Sequence, residues 1–408
     1  MKNTIIYIPI LVLLLALLAL PIFDFFIDQE NLTVGSGPNV VTRAIITIIM
    51  AYILIMPNRS QTRRFHNLIT SCIVFFVIYI SAITIWFFPL TSKQAYELVQ
   101  IVYSWLGFLC FYKLTKYYDI DERVYAYFFF ILIAIIAVTA YLNIDKRLDT
   151  DRGLDVADNT GNALVCAYAG IMLLANKKAL PFAAMFLVIV GTLICGKRSA
   201  ILATSAASLP LLIYMLTNKN VKFTRRFLFI VLIVIGAFVA LRYFSSYFDA
   251  AIERFENIEE DEGSGRGWIY EEYWNNFLIS KPIHQLFGHG LFAGARPLIS
   301  QYAFTHVAAH NDWLEILFDF GLVGVFTYAL ILILVLIVII KNINNRNIYF
   351  YMLCMSFIIW ITESIFSSTF LMNMSSIYLY MSVAYAIAKL ESNPKSIKTN
   401  ELASTPDE

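Results

Sequence analysis

The residues able to do chemistry in this chain are few, and they are concentrated. Four of the five histidines, His284, His289, His306 and His310, fall in one stretch that also holds Arg254, Arg266 and Arg296. Far upstream, Gly196-Lys197-Arg198-Ser199-Ala200 sets two cations side by side between two apolar runs. Arg43 and Glu363 each sit near the end of another apolar run. An imidazole with an ordinary pKa near 6.5 exchanges a proton at neutral pH. An ionisable group inside an apolar run is a functional candidate because the membrane interior makes it costly to keep. His306 and His310 have the i, i+4 spacing that a metal could bridge, but no third ligand stands at a zinc spacing and the His-Glu-x-x-His pattern is absent. No metal is expected, and no cofactor either, since neither a Walker-type nor a dinucleotide fingerprint occurs.

The elements that must position these residues follow from composition. Of 408 residues, 59% are hydrophobic and only 14% charged, against roughly 25% charged in soluble domains. That is too little charge to cover a water-facing surface. The formal net charge of +1 argues against nucleic acid as a partner, since neutralising many phosphates needs a basic excess. Continuous apolar runs near ~20 residues span a bilayer as helices. Twelve such runs are expected, at 4–23, 41–57, 67–89, 96–117, 123–142, 161–176, 179–195, 199–217, 226–245, 321–340, 348–366 and 369–389. The runs do not alternate, which excludes a strand barrel. The fold class is therefore all-α: a polytopic integral membrane protein of about 12 transmembrane helices with one large periplasmic loop. The expected organisation is helices over 1–245, the loop over 246–320, three more helices over 321–390 and a cytoplasmic tail over 391–408.

Lys/Arg asymmetry orients the bundle. Loops after even-numbered runs carry Arg59, Arg63, Arg64, Lys113, Lys116, Arg123, Lys177, Lys178, Lys219, Lys222, Arg225, Arg226, Lys341 and Arg346. The short loops after odd-numbered runs carry only Lys93, Lys146, Arg147, Arg152, Lys197 and Arg198. Both termini are thus expected in the cytoplasm and the long loop outside. Lys197 and Arg198 run against that trend, which calls for a reason. The five cysteines all fall inside apolar runs and suit no disulfide framework.

From His310 to Ile340 one helix would measure ~46 Å at ~1.5 Å per residue, more than the ~30 Å hydrocarbon core. Leu322–Ile340 suffices to cross, so 310–320 is expected at the outer interface, with Asp312, Glu315 and Asp319 as an acidic stripe and a bend at Gly321 or Gly324. His310, Lys197, Arg198, Arg43 and Glu363 then project to one side at similar depth. Gly288, Gly290 and Gly294 read as turn glycines rather than a phosphate cradle.

The segment Ala309-His310-Asn311-Asp312-Trp313-Leu314-Glu315 through Gly321-Leu322-Val323-Gly324 resembles the His-Asn-x-x-Leu-Glu…Gly-x-x-Gly signature of the O-antigen ligase/polymerase superfamily. Lys197-Arg198-Ser199-Ala200 is similar to the family's Arg-Ser/Gly-Ala segment. Arg266…Trp268 with Phe287-Gly288-His289-Gly290 resembles the Arg-x-x-x-Trp and Gly-x-Gly elements of its loop. Asp151-Arg152-Gly153 through Asn162 resembles an upstream Arg-x-x-Gly…Asn element, with Thr160-Gly161 intruding.

The resemblance implies a glycosyltransferase of the bacterial inner membrane that polymerises undecaprenyl-pyrophosphate-linked repeat units into O-antigen or related polysaccharide. It implies His310, Arg198 and Arg266 as catalytic, and Lys197, Arg198, Arg266, Arg152, His289, Asn311, Glu315 and Glu363 as binding the pyrophosphate or glycan. A ligase passing the glycan to a lipid A–core acceptor shares that donor chemistry, and a chain-length regulator protein is a partner the resemblance suggests. A flippase of polysaccharide intermediates is the alternative from another class. It would place ionisable residues near mid-membrane in two repeat-related halves, whereas here they gather at one face and the halves look dissimilar.

Overall fold

The computed structural model describes residues 4–26, 38–57, 67–87, 92–118, 120–148, 160–175, 180–218, 223–224, 227, 231, 262–294, 304–305, 308–367 and 375–392. Every described element is a helix. In chain order these are α1 (Thr4–Phe26), α2 (Pro38–Ile55), α3 (Leu68–Phe87), α4 (Ser92–Tyr117), α5 (Glu122–Leu148) and α6 (Thr160–Tyr168), which continues as a 3-10 turn over Ala169–Leu174. Then come α7 (Leu180–Cys195), α8 (Arg198–Thr217), α9 (Glu262–Ile279), α10 (Pro282–Phe287), α11 (Asp312–Lys341), α12 (Ile348–Phe366) and α13 (Ser376–Ser392). Six helical stretches are long and apolar enough to cross a membrane: Leu68–Phe87, Leu98–Tyr117, Glu122–Ile144, Arg198–Thr217, Asp312–Lys341 and Ile348–Phe366. Four shorter apolar helices accompany them at Tyr7–Phe23, Val41–Ile55, Thr160–Leu174 and Leu180–Cys195. Each apolar run of the sequence overlaps a described helix except 226–245, which lies outside the described residues apart from Phe227 and Val231.

The centre of the bundle is α13. Every residue from Ser376 to Ala388 is buried, and the helix packs along α4 and α12, while α12 packs on α8. A helix enclosed on all sides must hide its polar groups, and Ser382 does so by donating its hydroxyl to the Tyr378 carbonyl one turn back at 3.1 Å. Trp105 of α4 stacks on Tyr380 at 4.5 Å between ring centroids, and Trp360 of α12 lies 5.0 Å from the same ring. Around this core the outer helices turn large apolar side chains outward, among them Leu11 and Leu15 of α1, Phe75 and Ile78 of α3, and Phe326 and Ile333 of α11.

The two ends of the bundle carry different polar work. At one end Lys116 of α4 pairs with Glu391 of α13 at 2.8 Å, and Lys113 donates to the Leu54 and Met56 carbonyls that close α2. At the same end Tyr349 at the start of α12 donates to Glu122 at the start of α5 at 2.6 Å. The opposite end gathers the starts of α6, α8 and α11 and the ends of α7 and α12. From Tyr349 to Phe366 the rise is ~25 Å, so the two polar regions stand about a membrane's thickness apart.

α11 is two helices joined at Gly321, whose φ of 65° and ψ of −168° break the helical path. The bend falls at the first of the two expected glycines. The acidic stripe, however, does not line an interface: Asp312, Glu315 and Asp319 are 0%, 1% and 2% exposed. The 288–294 segment folds back over Asp319, and the bend at Gly321 brings Tyr328 back onto Asp312. The Phe292 and Ala293 amides donate to the Asp319 carboxylate at 2.7 and 3.0 Å. Tyr328 reaches Asp312 at 3.3 Å and itself accepts from the Trp360 indole at 2.9 Å.

Candidate active site at one end of the bundle

The site begins with a tight reversal. α7 ends at Cys195, α8 starts at Arg198, and Gly196 turns between them with φ 62°. Lys197 takes an extended conformation just ahead of α8, and Arg198 opens that helix half-buried. Helix starts carry exposed amides and the positive end of the macrodipole, so two cations placed there strengthen a region already suited to anions. Burial pushes the Lys197 ammonium below its ordinary range, the Glu363 carboxylate pulls it back up, and Arg266 pushes it down again.

Glu363 comes from the last turn of α12 and is 0% exposed. Among the described residues its carboxylate oxygens meet no donor at hydrogen-bond geometry; Lys197 and the Ser367 hydroxyl are its polar neighbours. Ser367 closes α12, donating its amide to the Glu363 carbonyl at 2.9 Å. Its hydroxyl accepts from the Asn162 side chain of α6 at 3.0 Å.

The carbonyls at the end of a helix have no partner within it, and two site residues supply one. Arg266 of α9 donates from Nη1 to the Phe366 carbonyl at 2.9 Å, and Asn311 donates from Nδ2 to the Ile365 carbonyl at 3.1 Å. A guanidinium also complements the negative end of the helix dipole. Asn311 is at the same time the N-cap of α11, its Oδ1 accepting from the Trp313 and Leu314 amides at 3.0 and 3.2 Å. One amide thus ties the start of α11 to the end of α12, with both of its ends occupied.

His310 precedes that cap with φ 53°, a left-handed conformation that costs a non-glycine residue ~1–3 kcal/mol. Glu315 holds it there, accepting the His310 amide at 2.8 Å. Burial pushes the imidazole pKa down to about 4, and the charges of Arg266 and Lys197 add to that shift. The side chain is therefore a neutral base at neutral pH, lodged in a field of two cations. Tyr273 of α9 lies behind it, its phenol held well above the ordinary range by burial and by the Glu315 and Asp319 carboxylates.

Lys197, Arg266, His310, Asn311, Glu315 and Glu363 are thus brought together from α8, α9, α11 and α12, with Arg198 next in the chain. His289 packs between α10 and the Phe318 side of α11. Its ring stacks between His284 and Phe318, 4.4 Å from each, and Nδ1 lies 3.2 Å from the Phe318 carbonyl. Burial pushes its pKa down to about 4. It belongs to a small core of the loop region with Tyr273, Phe304 and Phe318. Arg43 is buried in α2. Arg152 and His306 lie outside the described residues. The Asn162–Ser367 bond joins residues 205 positions apart; the resemblance marked Asn162 through its Arg-x-x-Gly…Asn element, but nothing in the sequence pointed to Ser367.

Gly288 and Gly290 have φ of 86° and 95° and serve as turns, as expected of them. The Gly288 amide closes α10 on the His284 carbonyl at 2.6 Å, while the His289 and Gly290 amides are turned inward on α11, that of Gly290 reaching the Asp319 carbonyl at 2.8 Å.

Residues 183–329 match the family model described as O-antigen ligase. That range runs from α7 to the upper half of α11 and includes Lys197, Arg198, Arg266, His289, His310, Asn311 and Glu315, but neither Asn162 nor Glu363. No curated protein matches the chain.

Proposed function

Because residues 183–329 belong to the O-antigen ligase/polymerase superfamily, we propose that this multi-pass membrane protein transfers glycan from an undecaprenyl-pyrophosphate donor to a glycan hydroxyl, extending a surface polysaccharide. The observation that carries the reading is that Arg266 and Asn311, the neighbour of His310, bond the adjacent Phe366 and Ile365 carbonyls at 2.9 and 3.1 Å, which sets His310 beside a guanidinium at the end of α12, with Lys197 also bearing on it. A base beside two cations suits a reaction in which a hydroxyl loses a proton while a diphosphate leaves.

In this reading Lys197, Arg198 and Arg266 hold the pyrophosphate, guanidinium being suited to gripping two phosphate oxygens at once. The bond from the anomeric carbon to the phosphate oxygen breaks as the bond from that carbon to the acceptor oxygen forms. His310 takes the acceptor's proton, and undecaprenyl pyrophosphate departs with the electron pair. Attack opposite the leaving group inverts the anomeric configuration. Charge gained by the diphosphate is met by fixed cations, which lowers the barrier where it develops. The same anion offsets the field on His310, so a bound donor makes the imidazole a stronger base than it is in the empty site. The pyrophosphate bond supplies the driving force, and neither nucleotide nor metal has a step to perform. Asn311 and Glu315 hold the base rather than the substrate, and Glu363 keeps Lys197 charged.

The description of the matched family favours a second reading, in which the acceptor is lipid A–core and the chain is a ligase. The donor end is the same in both. Glycan profiles of a null strain separate them: single repeats on lipid A–core mean polymerase, and long chains left on undecaprenyl pyrophosphate mean ligase. Normal long-chain glycan made by a well-expressed His310→Ala protein would overturn both.

A further inference from the structure

The sequence points to 310–320 as the interfacial segment, and its acidic stripe with the whole of 315–320 is buried. Among the described residues, an exposed aliphatic patch at this end of the bundle lies at the junction of α9 and α10. Leu278, Ile279, Ile283 and Leu286 are 52%, 82%, 51% and 43% exposed, four large aliphatic side chains within nine positions and outside the spanning helices. Ile283 and Leu286 stand at i, i+3 on one face of α10. Lys281, exposed, sits between the two helices.

The height of this patch is set by two independent rulers. First, α10 runs into Gly288, whose backbone lies against Gly321 so closely that a Cβ on Gly321 would come within 2.4 Å of the Leu286 carbonyl oxygen. Leu322–Ile340, the part of α11 beyond that contact, rises ~28 Å, about the hydrocarbon thickness of a bilayer. Second, His284 of α10 packs its ring 4.8 Å from that of Phe87, the last residue of α3. α3 is itself 20 residues long, apolar and able to cross. Tyr79 of α3 closes the arrangement, its hydroxyl lying 2.7 Å from the Phe320 carbonyl and 3.1 Å from that of Phe287. The two rulers bracket α10 across the outer edge of the hydrocarbon layer: its last residue is level with Tyr79, ~12 Å inside the end of α3, and its middle is level with Phe87 at that end.

We propose that the α9–α10 junction is a membrane foot: Leu278, Ile279, Ile283 and Leu286 insert into the acyl–headgroup boundary on the side of the bundle that carries the site, with Lys281 among the lipid phosphates. Aliphatic residues beside a lysine at that depth match the chemistry of an interfacial element, which gains from apolar burial and from anionic headgroups together. Trp86, 83% exposed at the end of α3, suits the same level. Arg266 sits on the same α9 that ends in the foot, so anchoring the foot in lipid fixes the height at which Arg266 meets the end of α12.

The test uses the full chain in nanodiscs containing phosphatidylglycerol, spin-labelled at Ile279→Cys, Ile283→Cys or Glu271→Cys, with label-treated wild-type protein as the background. Collisions with oxygen, which concentrates in lipid, and with a water-soluble nickel chelate report depth. The labels at 279 and 283 are expected to be relaxed by oxygen and shielded from nickel, with the reverse at the exposed Glu271 position. Nickel access at 279 and 283 overturns the proposal by showing them in water. Shielding from both probes overturns it too, by showing protein over the patch. Because the readout is depth and not glycan, its failure leaves the proposed chemistry untouched.

Discussion

Gly288 and Gly321 are in backbone contact, each in the left-handed region: a Cβ on Gly288 would lie 2.2 Å from the Asp319 carbonyl oxygen, and one on Gly321 2.6 Å from the Gly288 nitrogen. The contact lets the loop region dock on the kink of α11, where Asp319 then receives the Phe292 and Ala293 amides. Since the atoms in the way are backbone, neither side can yield. Gly288→Ala or Gly321→Ala should therefore cost more than the ~1–3 kcal/mol of the conformation alone. Thermal unfolding of the purified protein should show a drop of several degrees with either, and glycan extension should fail with it. Gly294→Ala, whose Cβ would meet the Tyr273 ring at 3.0 Å, should be milder.

His310→Ala should reduce transfer by roughly 10²–10⁴-fold, the usual contribution of a general base. Its backbone is left-handed, so His310→Gly should be more thermostable than His310→Ala by ~1 kcal/mol while equally inactive. A steady-state transfer assay paired with a melting curve measures both halves. Equal melting of the two variants would show that the turn imposes no strain.

The pH profile should reveal the cations around the base. The His310 pKa is pushed down to about 4, so the neutral, proton-accepting form persists well into acid. The acid limb of the rate with the free enzyme is expected near pH 4 rather than near 6.5. Arg266→Gln removes one of the charges that depress it, and the limb should move to higher pH, on top of a loss of rate of roughly 10²-fold or more. The stability consequence has a definite sign. The unfolded chain binds a proton on this histidine below pH ~6.5 and the folded one does not until about 4. That contribution is intact at neutral pH and is lost as pH falls from about 6.5 towards 4.

Glu363→Gln should act on the alkaline side. Burial lowers the Lys197 pKa and the Glu363 carboxylate opposes that fall. Without the carboxylate, Lys197 loses its charge at a lower pH, and transfer should decline at a correspondingly lower pH than in the wild type. A change confined to the maximum rate, with the alkaline limb unmoved, would argue that Glu363 is only a packing element.

Asn311→Asp separates its two duties. A carboxylate still accepts from the Trp313 and Leu314 amides and suits a helix start, but cannot donate to the Ile365 carbonyl. The variant should melt within about 1 kcal/mol of wild type yet transfer markedly more slowly, because the ends of α11 and α12 are no longer tied. Asn311→Ala loses both duties and should fall in both assays.

Along the chain, the sequence by itself determined where most of the helices lie. A backbone in lipid has no water to bond, so each long apolar run must satisfy its amides as a helix. The bend at Gly321 and the clustering of His310 with Asn311 and Glu315 were legible for the same reason: they are local, set by a glycine and by a cap within a few residues. What only the tertiary structure decided is which distant groups meet and what covers them. Arg266 bonding Phe366, Asn162 bonding Ser367 and Lys197 facing Glu363 bridge separations of 100 residues and more, and no periodicity encodes such pairs. The burial of Asp312 depends on Tyr328 being brought back onto it, and the burial of Asp319 and the packing of His289 into its own small core depend on the 288–294 backbone lying across α11. That placement rests on the close approach of two glycines 33 positions apart in the chain, a fit between surfaces that exists only once both are folded.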